Sequence, residues 1–344
     1  MSNKKIGTMT FHWATNYGAV IQAYALQKCL KDFGYETEII DYVPKRTIMI
    51  NTLFAIKNRN REFFHKERNI NQFRREHLKL SEKKIGLSRR LSRYANEYSH
   101  IIVGSDQVWN YSFTMGAEGR TTLSYFLDFV GPNTKKISYA ASFGMDSAPN
   151  DYIDLVKPWV SSFDGISVRE NTGVDIAKQL GVNAEIVCDP TALLKREDYE
   201  TLLPPSEGKN RYVYSYILHG RAVNMSKITE AIKKSHPHTN VISDDGSGII
   251  EWLTNIRDAE FVITNSFHGM MFSLLFNRPF IVVPVKESKM NNRISTVLEA
   301  VGLLDRIVED ELSIPETEID WETVNSKIEE CRRKGKAYLE RQLS

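Results

Sequence analysis

No apolar run in the 344-residue chain approaches 18 residues, which excludes an ordinary membrane-spanning helix. The amino terminus, Met1 to Lys5, leads straight into a strand pattern without the apolar core of a secretory signal, so a cytoplasmic protein is expected. Cys29, Cys188 and Cys331 are far apart and show no CxxC spacing, which favours reduced thiols over bridges or zinc. Neither a GxGxxG turn nor a Walker loop is present. Neither HExxH nor DxD is present, and His236-Pro237-His238 lies in a polar stretch with no partner signal, so neither a catalytic metal nor any other cofactor is expected. A formal net charge of only +2 excludes a polyanion binder by overall charge, and no recognised RNA or DNA motif makes nucleic acid a partner.

What is present is the composition of a globular protein, with 42% hydrophobic and 26% charged residues. The length exceeds what one core usually supports, so two domains are expected, over 1–190 and 191–344. Apolar strand patterns alternate with helical spacing in both halves. In the first half strands are expected at Ile6–Phe11, Tyr35–Tyr42, His100–Gly104, near Ser124–Val130, and at Lys136–Ala141, Gly165–Val168 and Ala184–Val187. In the second half they fall at Tyr212–Leu218, Asn240–Ser243, Phe261–Thr264 and Phe280–Val283. Such alternation predicts an α/β fold with mostly parallel sheets, read as two Rossmann-like domains facing across a cleft. Asp189-Pro190-Thr191 breaks the pattern and reads as a hinge, and a charged helical tail, Glu316–Leu343, is placed to cross back to the first domain.

One segment departs from the even charge. Between Lys45 and Arg93 there are 15 Lys and Arg against four Glu, interleaved with Phe54, Phe63, Phe64, Phe73 and Leu78. A basic helical insertion over about 45–95 in the first domain is expected. Peripheral contact with an anionic membrane surface is one reading of it; a solvated helical pair or a dimer contact is the other.

Chemistry concentrates where strands meet helices. In Thr264-Asn265-Ser266-Phe267-His268-Gly269 an apolar strand runs into an apolar helix, which puts His268 at a strand's carboxyl end and a helix's amino end. Open α/β sheets bind ligands there, and the unpaired N–H groups of a first helical turn favour an anion. His268 is therefore a candidate for proton transfer, with Ser266 and Gly269 beside it; a His buried within its own helix start is the alternative. Asn16, Tyr17, Ser105 and Asp106 fall in loops after strands. Arg169 and Arg293 are candidate anion forks and Lys286 a point charge, whereas an internal ion pair for Arg169 and a surface position for Arg293 are the alternatives. Asp106 is acid-base capable if dehydrated and otherwise caps a turn. His12 and His219 also fall at predicted strand ends. From these residues alone the reading is a protein that takes a small anionic ligand.

The order of Thr10–Ala19, Gln22–Leu26, Gly104–Asn110, Ser167–Glu170, Asp189–Thr191 and Ser266–Gly269 over about residues 4–305 resembles the polysaccharide pyruvyl transferase family. The resemblance implies a GT-B-like fold and an enzyme that moves the enolpyruvyl group of phosphoenolpyruvate to two hydroxyls of a sugar as a ketal. That sugar would belong to a nucleotide- or lipid-linked precursor of a surface polysaccharide. It also implies His268 in donor contact or proton transfer, Arg169 and Arg293 as anion clamps, and Asn16 and Asp106 orienting the acceptor. Characterised members carry Arg two positions before this His. Ser266 stands there, so Lys286 or Arg293 would supply the charge. A GT-B glycosyltransferase using a nucleotide sugar and a non-catalytic polysaccharide-binding protein are the competing readings.

Overall fold

The computed structural model describes residues 5–94, 96–206, 208, 212–218, 225–235, 239–285, 291–310, 314, 315 and 317–344. The chain divides into two compact units, Met1–Leu193 with Arg333–Ser344, and Leu194–Arg332.

The first unit contains, in chain order, β1 (Lys5–Met9), α1 (Tyr17–Asp32), β2 (Glu36–Ile39), α2 (Lys45–Lys57), α3 (Arg61–His77), β3 (His100–Val103), α4 (Tyr111–Gly116), β4 (Lys135–Ser138), α5 (Asn150–Val160), β5 (Ser167–Val168), α6 (Asn171–Gln179) and β6 (Glu185–Ile186). Its main sheet is parallel in the order β2-β1-β3-β4, with Ile6 opposite both Thr37 and His100. β5 and β6 form a second parallel pair, and single bridges from Ile137 to Gly165 and from Ala141 to Val168 connect this region to β4 and the run after it. The inner strands β1 and β3 are buried almost throughout, as a sheet covered on both faces requires, whereas the outer strands β2 and β4 begin with exposed charged residues. α1 shows how local chemistry sets an element's limits. The Asn16 side chain accepts a hydrogen bond from the Ala19 amide at 3.1 Å, and the helix ends before Gly34, whose φ of +86° is the left-handed conformation that glycine adopts without strain.

The second unit runs α7 (Arg196–Glu200), β7 (Tyr212–Tyr216), α8 (Met225–Ser235), β8 (Asn240–Ser243), α9 (Ile249–Asp258), β9 (Phe261–Thr264), α10 (Phe267–Leu275), β10 (Phe280–Val282) and α11 (Asn291–Val301). Its sheet is parallel in the order β10-β9-β7-β8. β9 and β7 are therefore the inner strands, and the turn after β9 opens at the centre of the carboxyl edge. Every residue of α10 is buried, and Phe272 packs against both Tyr199 and Trp252. The terminal helix α12 (Trp321–Leu343) begins in the second unit, and its last turns belong to the first, where the Tyr338 hydroxyl donates to the Ser138 carbonyl at 3.0 Å.

Alternating strands and helices with parallel sheets make both units Rossmann-like, as the sequence pattern predicts. One expected strand is absent: residues 124–126 form a 3-10 turn instead. Leu127 takes φ +55°, which ends any extended run, while Phe126 stacks on Trp109 at 5.6 Å. Burial of those aromatic rings overrides the β-propensity of the stretch. Among the described residues no helix is long and apolar enough to cross a membrane.

Candidate functional site

In the second unit, β9 ends at Thr264 and α10 begins at Phe267, so His268 occupies the second helical position, next to the amino terminus. Ser266 is the N-cap: its Oγ accepts from the Gly269 amide at 3.2 Å. That bond satisfies one of the orphan donors of the first turn and leaves the neighbouring dipole pointing outward from the helix start. Gly269 is required by close packing. A Cβ added there would lie 2.5 Å from Thr264 Oγ1 and 3.2 Å from the Tyr216 ring. The His268 imidazole is only 7% exposed, and its ring meets Phe267 edge to face at 5.1 Å. The Arg293 guanidinium, on the first turn of α11, sits 5.8 Å from the centroid of the same Phe267 ring. Ser266, His268, Gly269 and Arg293 thus gather around one helix start. Lys286 and His219 lie outside the described residues.

Two neighbours of this helix start carry more of its geometry than their sequence positions suggest. Asn265 accepts from the Leu218 amide and donates to the Leu218 carbonyl, each at 2.6 Å, which ties the turn after β7 to the turn after β9. Thr264 Oγ1 donates to the Tyr216 carbonyl at 2.8 Å and accepts from the Ser266 amide at 3.0 Å. These side chains replace ladder hydrogen bonds where the two inner strands end.

In the first unit, Ser105, Asp106 and Arg169 come together in a cluster buried at the carboxyl ends of β3 and β5. Arg169 is 3% exposed and faces three carboxylates, with Nη1 3.0 Å from Asp189, Nε 3.6 Å from Glu170 and Nη2 3.7 Å from Asp106. Its Nη1 also donates to Ser105 Oγ at 3.2 Å, and Ser105 in turn donates to Asp189 at 2.8 Å. The internal-pair alternative therefore describes Arg169, and a dianionic ligand would have to compete with carboxylates already in place. Asp189 accepts from the Thr191 amide and hydroxyl at 3.0 and 2.8 Å, so Asp189-Pro190-Thr191 is a buried turn within the first unit. Asp106 adopts φ +80°, an uncommon conformation for a non-glycine residue, and its carboxylate accepts from the Gln107 amide at 2.8 Å.

Asn16 and Tyr17 stand at the start of α1. Asn16 is the helix cap, and it also lines a cavity of about 300 Å³ with Trp13, Thr15, Phe63, Phe64 and Glu67. Tyr17 is fully buried, with the Lys66 ammonium 3.8 Å above its ring. An adjacent cavity of about 480 Å³ is lined by His12, Trp13, Asp41, Glu67, Arg74 and Arg75 among others. His12 is fixed within it by Asp41 at 3.1 Å and the Thr10 carbonyl at 3.2 Å.

Arg74 gives the loop at 12–16 its shape. Nε donates to the His12 carbonyl at 2.7 Å and Nη2 to the Ala14 carbonyl at 2.6 Å, while Nη1 reaches Glu67 and Asn71. Burial pushes this guanidinium down from its ordinary value, opposed by the Glu67 charge. Read from sequence, it is one basic residue among fifteen. Only the contact from α3 back to the first loop distinguishes it, and no periodic signal carries that. Asp189 is more accessible to such reading, since an Asp with Thr two residues on is an Asx-turn pattern. Among the described residues no cluster of three or more His, Cys, Asp or Glu could hold a metal ion.

A sequence profile of the polysaccharide pyruvyl transferase family matches residues 16–287. No curated protein matches the chain significantly. Among solved structures, a candidate UDP-N-acetylglucosamine 2-epimerase from Listeria monocytogenes is similar over 97% of this chain and 91% of that one, at 10% identity and a TM-score of 0.53. S. aureus MnaA, in a co-structure with UDP, is similar over the same shares at 10% identity and a TM-score of 0.50. At such identity the likeness shows the fold alone, the α/β, GT-B-like type with Rossmann-like domains.

Proposed function

The chain belongs to the polysaccharide pyruvyl transferase family and is a transferase of that class; from this premise we propose that its donor is phosphoenolpyruvate and its acceptor a sugar of a surface-polysaccharide precursor. The observation that carries this reading is the set of Ser266, His268, Gly269 and Arg293 around the start of α10, within or just beyond the span that the family profile matches.

Phosphoenolpyruvate brings a carboxylate and a phosphate. A helix amino terminus and a guanidinium fork are the groups that hold such anions. In this reading the α10 terminus and Arg293 bind the donor, and His268 handles protons. A proton added to the methylene carbon makes the adjacent carbon electrophilic. One sugar hydroxyl adds there, the carbon–oxygen bond to phosphate breaks, and the second hydroxyl closes the ketal. Of the two hydroxyl protons, one balances the new methyl group and the other leaves with phosphate. Ser266, where the characterised relatives carry Arg, caps α10, so the cation must come from elsewhere, and Arg293, beside the Phe267 ring, is the described candidate. Lys286 remains the other sequence candidate. Arg169 is a positioning residue in this scheme: it holds Asp106 and Ser105 in place, with Asp106 and Asn16 directed to the acceptor.

The test incubates the enzyme with phosphoenolpyruvate and a panel of galactose- and N-acetylmannosamine-bearing acceptors, including nucleotide- and lipid-linked forms, and follows phosphate release and ketal formation. Phosphate release with a ketal product supports the reading. Absence of phosphoenolpyruvate binding and of release with every acceptor overturns it. Loss of a general acid typically costs roughly 10²–10⁴-fold, so His268→Ala should lower turnover by about that factor.

A further inference from the structure

Helix α2 is apolar in composition and almost uncovered. Ala55 is its one buried residue. Of the eight large hydrophobic side chains that stand exposed among the described residues, six lie between positions 49 and 64: Met49, Ile50, Leu53, Phe54, Ile56 and Phe64. Phe54 is 69% exposed. Scattered exposed hydrophobics are ordinary, whereas a contiguous group marks a surface that meets something.

The spacing makes the group a ridge. Positions 49, 50, 53 and 54 fall on one face of α2, and the exposed Lys57 extends that same face at its carboxyl end. On α3 the exposed Arg61, Phe64, His65 and Arg68 follow at intervals of three and four, and the turn between the helices adds Arg59. The ridge is anchored on its inner side. Thr47 Oγ1 donates to the Ala117 carbonyl at 2.8 Å, Arg46 reaches the Gly116 carbonyl at 3.3 Å, and Arg74 fixes α3 to the loop after β1. An apolar stripe bordered by cations, on a helix pair with its back held, is the pattern of an element that lies in a membrane interface. Aliphatic and phenyl groups enter the acyl boundary there while Lys and Arg meet anionic headgroups.

We propose that this outward face of α2 and the start of α3 docks on an anionic lipid bilayer. A second copy of the chain is a poorer occupant. A two-fold contact would set the patch against itself, and the segment 45–93 carries 15 Lys and Arg against four Glu. The proposal stands apart from the donor chemistry, since none of the ridge residues named for the test has a role in it.

The test uses the full chain in flotation with vesicles of phosphatidylcholine alone or with phosphatidylglycerol, at low and high salt. Binding to the anionic vesicles that salt weakens, with little to neutral ones, is expected. The Leu53→Glu/Phe54→Glu variant should lose at least roughly tenfold of that binding, and Lys57→Glu roughly fivefold. Leu53→Ser/Phe54→Ser serves as a milder version, and unchanged melting and far-ultraviolet dichroism show that each variant is folded. Transfer to a water-soluble acceptor should be unaffected, so loss of docking and loss of catalysis are read separately. The proposal is overturned if the wild-type chain ignores anionic vesicles, or if the folded double variant binds them as well as wild type. It is equally overturned if sedimentation reveals a dimer that the double variant abolishes while vesicles remain unbound.

Discussion

Helices α2 and α10 draw on similar side chains, Met, Leu and Phe, yet every residue of α10 is buried and only Ala55 of α2 is. The difference lies in what each follows. α10 leaves an inner strand of a four-stranded sheet and packs against α9, whereas α2 belongs to an insertion after the outer strand β2, where no second layer covers it. Apolar content therefore says that a face needs a partner, and topology says whether that partner is inside the fold. The first helix positions candidate chemistry; the second presents a surface.

Substitutions can break this contrast, and the largest effect is expected in the core. Phe272→Ala should destabilise the protein by about 3–5 kcal/mol through the lost burial and the cavity left beside Trp252 and Tyr199. Phe54→Ala should stay within about 0.5 kcal/mol, as exposed positions do. Urea melts of the two variants compare them directly, and equal losses would mean that α2 is covered after all. Gly269→Ala comes next, at about 1–3 kcal/mol, because the new methyl group must displace Thr264 or Tyr216. Its cost should be accompanied by a fall in activity, since the amide that shifts is the one held by Ser266.

Ser266→Ala removes the cap alone and should cost about 1 kcal/mol, read in the same melts. The smallest effect concerns the anchor of α2. Burial raises the Glu118 carboxyl, but hydrogen bonds from Tyr42, Ser88 and Arg120 outweigh it and hold the group below the usual carboxylate range. A depressed folded value means that this stabilisation is present above the unfolded carboxylate range, near pH 4.3, and is lost as pH falls through the folded value. Glu118→Gln should flatten that acid limb. The exchange protection of α2, which hangs on the neighbouring Gly116 and Ala117 carbonyls, should stop varying with pH in the same range once intrinsic exchange is divided out, while that of α10 is unaffected.

Much of the fold is legible because burial imposes a period. Apolar runs locate β8 and β9 to the residue, whereas Asn16, read from sequence as a loop residue, is the cap of α1. Legibility fails where a contact joins distant positions. Residues 124–130 read as a strand because they are aromatic and apolar, but those rings are packed by Trp109 around a left-handed Leu127. The candidate site divides in the same way. Ser266, His268 and Gly269 are readable as a strand-to-helix junction. The enclosure of Arg169 is readable only in part: an internal pair is one sequence reading and Glu170 is its chain neighbour, whereas Asp106 and Asp189 come from turns far along the chain. Arg74 is the clearest case: its two carbonyl partners lie about sixty positions away and leave no local trace.

The side-chain amide of Asn265 grips both backbone polar atoms of a single residue, Leu218. A clasp with two teeth does not slip by degrees, because releasing either bond strains the other. The turn at Leu218 should accordingly behave as a latch, either shut or fully sprung, and its exchange rate should jump rather than drift when the chain is warmed.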